Sequence, residues 1–163
     1  MSDASPLPGP LSGLRVLELA DQTGQFCGKL LGDLGADVIK IEPPGGEPCR
    51  RIGPFLHDIP HPERSLSFWY YNTSKRGITL DINTGDGRDL FRRLAAIADV
   101  VFETFRPNHL SSLGCGYATL SQQEPRSDPV LLDPVRPDWP VARLPVIGPA
   151  AYGGGRRDGL VRV

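Results

Sequence analysis

The sequence predicts an open, mostly parallel α/β sheet, and three observations predict it. Short apolar runs of strand character recur at residues 14–20, 36–42, 78–82 and 99–103. Helical periodicity fills the gaps after the first and third of them, and each strand–helix–strand unit takes about 30 residues, the length of a βαβ crossover. Such units pair their strands in parallel with a right-handed connection.

The elements follow in order. Leu14-Arg15-Val16-Leu17-Glu18-Leu19-Ala20 is apolar-rich and bounded by Gly13 and the polar turn Asp21-Gln22-Thr23-Gly24, so it reads as a strand. Phe26, Leu30, Leu31 and Leu34 then recur at helical spacing and predict the buried face of a helix. Gly35 stands where a helix C-cap belongs. Ala36-Asp37-Val38-Ile39-Lys40-Ile41-Glu42 is the second strand, stopped by Pro43-Pro44-Gly45-Gly46. Residues 43–64 hold many prolines and no clean period, so they read as a long loop. Ile78-Thr79-Leu80-Asp81-Ile82 alternates as the third strand. Asn83-Thr84-Gly85-Asp86 offers cap residues for a helix whose apolar face is Leu90, Phe91, Leu94 and Ile97. Asp99-Val100-Val101-Phe102-Glu103 is the fourth strand.

Composition excludes several classes. The formal charge of the 163 residues is −1 with acids and bases interspersed, which leaves no electrostatic footprint for nucleic acid. There is no run of eighteen apolar residues to span a membrane. Residues 1–10 read as a flexible leader without the layout of a signal peptide. Cys27, Cys49 and Cys115 are widely spaced, which disfavours a disulfide framework or a zinc site and makes the cytoplasm the expected compartment. His57, His61 and His109 lack metal spacing and read as surface residues, so no metal site is expected.

In open α/β sheets ligands bind outside the carboxyl ends of the strands, and three loops are assigned to that position: 21–24, 72–76 and 103–107. The first leads into a helix N-terminus, which favours an anion such as a phosphate. Gly24 and Gly28 do not form Gly-x-Gly-x-x-Gly, so a dinucleotide fingerprint is absent although Glu42 ends the second strand where its acid would sit. Those glycines fit turn entry and close packing as well as ligand contact. Lys75 and Arg76 can pair with phosphates or form a solvated basic turn. Phe105 can be core, or can stack on a base. The residues alone support a phosphate-bearing, nucleotide-like ligand.

The order of the pieces adds more. Leu11-Ser12-Gly13-Leu14-Arg15-Val16-Leu17-Glu18, the block from Leu31-Gly32-Asp33 through Ile39-Lys40-Ile41-Glu42-Pro43-Pro44-Gly45-Gly46, and Asn72-Thr73-Ser74-Lys75-Arg76-Gly77 resemble the class III (CaiB/BaiF) CoA-transferases. So do Ala98-Asp99-Val100-Val101, Phe105-Arg106-Pro107 and the final helix from Leu113-Gly114 to Leu120. The resemblance implies a Rossmann-like, incomplete CoA-binding domain over residues 11–124. By position it implies CoA contacts at Gln22, Thr23, Asn72, Thr73, Ser74, Lys75, Glu103, Thr104 and Phe105. It further implies acyl-CoA and a carboxylic acid as substrates, no permanently bound cofactor, and a homodimer for the full-length family. Some relatives racemise or isomerise acyl-CoA thioesters instead.

In the transferases an aspartate attacks the thioester carbonyl and forms an anhydride, releasing the CoA thiolate, which then attacks to give an aspartyl-CoA thioester. The segment carrying that aspartate has no counterpart here, so no catalytic residue is assigned and the chain is expected to be a truncated, inactive form. A CoA-binding remnant and a dinucleotide-binding oxidoreductase fragment are the alternatives. From Pro125 the composition changes to seven prolines, Gly153-Gly154-Gly155 and arginine pairs, and residues 125–163 read as a disordered tail. Two origins stay open for it. Codons compatible with the tail, read one base forward, can spell stretches similar to the family around its nucleophile; the other origin is a genuine Pro-rich tail.

Overall fold

The computed structural model describes residues 9–121 and the backbone of 130–132. Four strands, β1 (Arg15–Leu19), β2 (Asp37–Glu42), β3 (Lys75–Thr79) and β4 (Val100–Glu103), form a wholly parallel sheet, with a short fifth strand, β5 (Val130–Leu132), on the edge of β4. The order is β3-β2-β1-β4-β5, with the chain reversing its direction of travel between β1 and β4. This is the doubly wound order, and it confirms the predicted class. Helix α1 (Gln25–Asp33) joins β1 to β2, α2 (Leu66–Tyr71) leads into β3, and α3 (Gly85–Ala95) joins β3 to β4. Two one-turn helices, α4 (His109–Ser112) and α5 (Tyr117–Leu120), follow. Among the described residues no helix is long and apolar enough to cross a membrane.

Alternation along the strands gives the sheet two different faces. Leu17, Leu19, Ile39, Ile41 and Val101 point to one side, where Phe91 and Ala95 of α3 and Leu110 of α4 complete an apolar core. Val16, Ala20, Val38 and Phe102 point to the other side, toward α1, and share it with the buried charges Glu18 and Lys40.

Four expectations change. Strand β3 begins at Lys75, three residues before the predicted Ile78; as an edge strand it tolerates Lys75 and Arg76, so polarity there does not mark a turn. The long loop contains two 3-10 turns, Pro48–Arg51 and Leu56–Asp58, and is followed by the unpredicted α2, whose N-cap Ser65 accepts a 3.1 Å bond from Phe68 N–H. Helix α1 buries Gln25 and Gly28, while Phe26, Leu30 and Leu34 are each nearly half exposed, because small residues let the helix sit close on the sheet. On α3, Phe91 is buried and Leu94 packs on the core, but Leu90 and Ile97 face outward. The 125–163 tail lies outside the described residues except Val130–Leu132, which use the open backbone groups of β4 to form β5.

The predicted caps hold. Thr84 accepts a 3.0 Å bond from Gly87 N–H at the start of α3. Gly35, at φ +100°, ends α1 in the left-handed conformation that glycine alone adopts without cost.

Candidate functional site

A reversal of strand order opens a crevice at the carboxyl ends of the strands, and here it falls between β1 and β4. The protein fills it with its own side chains. Asp21 Oδ1 accepts bonds from Thr23 N–H at 2.9 Å and Thr104 Oγ1 at 3.0 Å, and Asp21 N–H donates to Thr104 Oγ1 at 2.9 Å. A Cβ at Gly24 would meet the Thr104 methyl, the Phe102 ring and Ala20, so Gly24 serves packing. These contacts occupy the crevice beside the α1 terminus. Glu42 is also committed: it takes two bonds from Arg50, at 2.6 and 2.7 Å, and one from Glu47 N–H at 3.0 Å. Burial by itself would raise the Glu42 carboxyl, but these bonds outweigh it and hold the group below its ordinary range. The dinucleotide alternative therefore lacks both its phosphate seat and its ribose acid.

Beneath α1 lies a buried charge cluster that the sequence does not announce. Register places Glu18 beside Lys40. Lys40 Nζ donates to Glu18 Oε1 at 3.1 Å and to the Ala20 carbonyl at 2.7 Å. Lys75 Nζ donates to Glu18 Oε1 at 2.9 Å, the Gln25 carbonyl at 2.8 Å and Asn72 Oδ1 at 3.0 Å. Glu18 Oε2 lies 2.7 Å from Lys75 Nζ as an ion-pair contact outside hydrogen-bond geometry. Burial pushes the Lys75 ammonium down, opposed by Glu18. Gly28 makes room for this cluster, since a Cβ there would collide with Glu18 Oε2.

The open space sits on the other face. A cleft of about 100 Å³ lies at the carboxyl ends of the strands, lined by Leu19 and Ile41 at the ends of β1 and β2, Pro43 and Glu47 after β2, Leu80 to Asn83 after β3, and Phe105 and His109 after β4. Its apolar walls with a few polar groups are the usual composition of a binding site. Phe105 is set by the bond its N–H donates to Glu103 Oε2 at 2.6 Å, and its ring lies 4.8 Å from that of His109. Asp81 Oδ1 accepts from both Asn83 N–H and Asn83 Nδ2 at 3.0 Å. The Glu47 carboxylate accepts from the Cys49 thiol at 4.0 Å. Burial pushes its carboxyl up, with Lys40 pulling the other way and Asp21, Glu42 and Glu18 adding to the rise. Among the described residues no group of three His, Cys, Asp or Glu could hold a metal ion.

Of the nine residues assigned from sequence, the structure brings Phe105 into this cleft wall. Gln22 and Thr23 are exposed on the β1–α1 turn. Thr104 closes the crevice, and Glu103 is buried beside it. Asn72, Thr73, Ser74 and Lys75 form a latch at the amino end of β3, opposite the cleft, because β3 starts earlier than its alternation suggests. Asn72 Nδ2 bonds Gln25 Oε1 at 2.9 Å, Thr73 Oγ1 accepts from Lys29 at 2.8 Å, and Ser74 Oγ bonds Asp33 at 2.9 Å. Arg76 pairs with Asp37 through two bonds, at 2.8 and 2.6 Å. The basic turn is thus a clamp on α1 and β2, with Lys75 inaccessible to a phosphate. Leu80, Asp81 and Ile82 escaped the sequence reading because they were placed inside a strand, and Asn83 because it read as a helix cap. His109 escaped because spacing, which decides metal sites, says nothing of cleft walls.

Comparison with known proteins identifies the family and agrees with the fold. The family profile of CoA-transferase family III matches residues 11–126. Succinyl-CoA:(R)-benzylsuccinate CoA-transferase subunit BbsE of Thauera aromatica is 37% identical over 134 residues, covering 82% of this chain and 33% of that protein. Succinyl-CoA–D-citramalate CoA-transferase of Chloroflexus aurantiacus is 42% identical over 129 residues, covering 77% and 30%. A crystal structure of a CAIB/BAIF family protein from Brucella suis superposes with a TM-score of 0.65 at 44% identity, covering 74% of this chain and 32% of that one. The chain thus spans about a third of the length of the relatives it matches. With the profile covering most of its length and a doubly wound sheet whose cleft replaces the dinucleotide crevice, the chain belongs to CoA-transferase family III.

Proposed function

We propose that the chain supplies the CoA-binding part of an enzyme that moves CoA between acyl-CoA thioesters and carboxylic acids through an aspartyl intermediate. The observation that carries this is the cleft at the carboxyl ends of all four strands, which offers apolar walls and the Phe105 ring to the nucleotide end of CoA. Succinyl-CoA named in both curated relatives supports an acyl-CoA as one substrate and a carboxylic acid as the other. No cofactor need be held permanently, because CoA itself is the group moved.

The 163-residue chain binds CoA without transferring it. The acids on the cleft wall are Glu47 and Asp81. Asp81 is tied into its own turn, and neither has the setting that the family resemblance implies for the nucleophile. The binding unit is residues 11–124, between the leader 1–10 and the tail 125–163. For the full-length form the assembly expected is a homodimer, and the compartment the cytoplasm.

Calorimetry of the chain with CoA and with NAD tests the ligand. CoA binding with no NAD binding is expected; the reverse would overturn the proposal. An assay with succinyl-CoA and a free carboxylate tests the chemistry. Turnover by this chain, abolished by mutating one of its own aspartates, would refute the binding-only role.

A further inference from the structure

Resting on the reading of the cleft as the nucleotide site, we propose that His109 is the residue that contacts the phosphates of the ligand and thereby sets which way the nucleotide lies. The cleft is electrostatically lopsided. Its β2–β3 side carries the carboxyls of Glu47 and Asp81, and its β4–α4 side carries Phe105 and His109. A phosphate is repelled from the first side and has one partner on the second. Asn83 carries no charge and already donates one of its two amide N–H groups to Asp81. Among the described lining residues His109 is the one side chain able to take positive charge.

Its position is fixed. Asn108 adopts a left-handed turn at φ 66°, His109 N–H bonds the Arg106 carbonyl at 3.0 Å, and Ser112 Oγ bonds the His109 carbonyl at 2.7 Å. The ring lies 4.8 Å from Phe105 at an interplanar angle of 55°, so a base stacked on Phe105 has its sugar phosphates alongside the imidazole. The base then lies toward Ile41, Leu80 and Ile82, where Glu47 accepts from an exocyclic amine. The other charges around His109 are Glu103, whose carboxylate is bonded to Phe105 N–H, and Arg106, which is exposed.

The experiment measures CoA and adenosine binding to the 163-residue chain at pH 6 and pH 8, for wild type, H109F, H109Q and the control H61Q. The phosphate of CoA titrates over the same range, so the readout is each variant relative to wild type at one pH. H109F keeps a ring and loses the charge. We expect it to bind CoA about tenfold more weakly, and adenosine within about twofold. H109Q should lose affinity for both ligands, and H61Q for neither. Full CoA affinity in H109F at both pH values overturns the inference and leaves the cleft reading standing. So does an equal loss of adenosine and CoA in H109F, which would make His109 a packing residue. Absence of CoA binding by wild type overturns the cleft reading and the inference with it.

Discussion

Glu18→Gln is the perturbation that weighs most directly on how the α1 face is held together. Glu18 is fully buried and its carboxylate faces two ammoniums, Lys40 at 3.1 Å and Lys75 at 2.7–2.9 Å. The amide substitution keeps shape and removes the only anion in direct contact with both. Two desolvated cations then remain, held by the Ala20 and Gln25 carbonyls and by Asn72. Removing one partner of a buried pair costs about 3–5 kcal/mol, because the other charge is left without compensation. Lys75→Met makes the opposite change: it removes a cation already disfavoured by burial and leaves Glu18 matched one-to-one with Lys40. Its cost should stay below about 2 kcal/mol, since an apolar isostere at a buried charge is often near neutral. Urea unfolding of both variants, followed by circular dichroism, decides the matter. Glu18→Gln should lower the midpoint by roughly 2 M and Lys75→Met by well under half of that. If Lys75→Met proved the more damaging of the two, the cluster would not be limited by its excess positive charge, and the reasoning would be wrong.

Three further outcomes follow from local geometry. Burial pushes the Cys49 thiol up to about 11, against an ordinary value of 9.0. The unfolded chain therefore releases that proton first, and stability present below pH 9 should fall by about 2 kcal/mol between pH 9 and 11, a slope that Cys49→Ala should flatten in urea titrations. Asp37 lies below the ordinary aspartate value of 3.8, chiefly through its bond from Arg15 and then Arg76, with burial opposing. Its contribution is present above that value and is lost as pH falls through the lower folded one; Asp37→Asn should cost about 1 kcal/mol at pH 7 and much less at pH 2–3, read from thermal melts. Ser65→Ala removes the N-cap of α2 and the bond to the Ile52 carbonyl, and should cost about 1–2 kcal/mol by urea unfolding; a loss within error would show that α2 is held by packing alone.

The sequence carried the architecture further than the site. Strands β1, β2 and β4 were legible because three-layer burial leaves near-continuous apolar text, and α3 because Thr84 and the periodicity of Phe91 and Leu94 agree. Strand β3 was misplaced by three residues because only one of its edges is paired, so Lys75 and Arg76 looked like a turn. Helix α2 was hidden by Phe68, Trp69, Tyr70 and Tyr71, whose aromatic run has strand character. The same slip moved Leu80 to Ile82 from the loop that lines the cleft into a strand. Glu18 and Lys40 stood in plain view as polar letters in apolar strands, but their pairing is a property of register, which no single strand records.

Register is also what ties the cleft to the charge cluster. Along β1, Leu17 and Leu19 point to the α3 side and help form the core and floor of the cleft, while Glu18 between them points to α1 and carries the ion pairs. Shifting any one strand by a single residue would exchange these sets, burying Leu among ammoniums and Glu18 among Phe91 and Ala95. Such an exchange would leave charges without partners, a penalty several times that of a misplaced methylene. The cluster therefore acts as a register lock: Glu18 opposite Lys40, with Lys75 reaching in from β3, is satisfied in one alignment of three adjacent strands. The cleft is built from the carboxyl ends of those same strands, so its walls are positioned by charges that lie on the far side of the sheet and never touch the ligand.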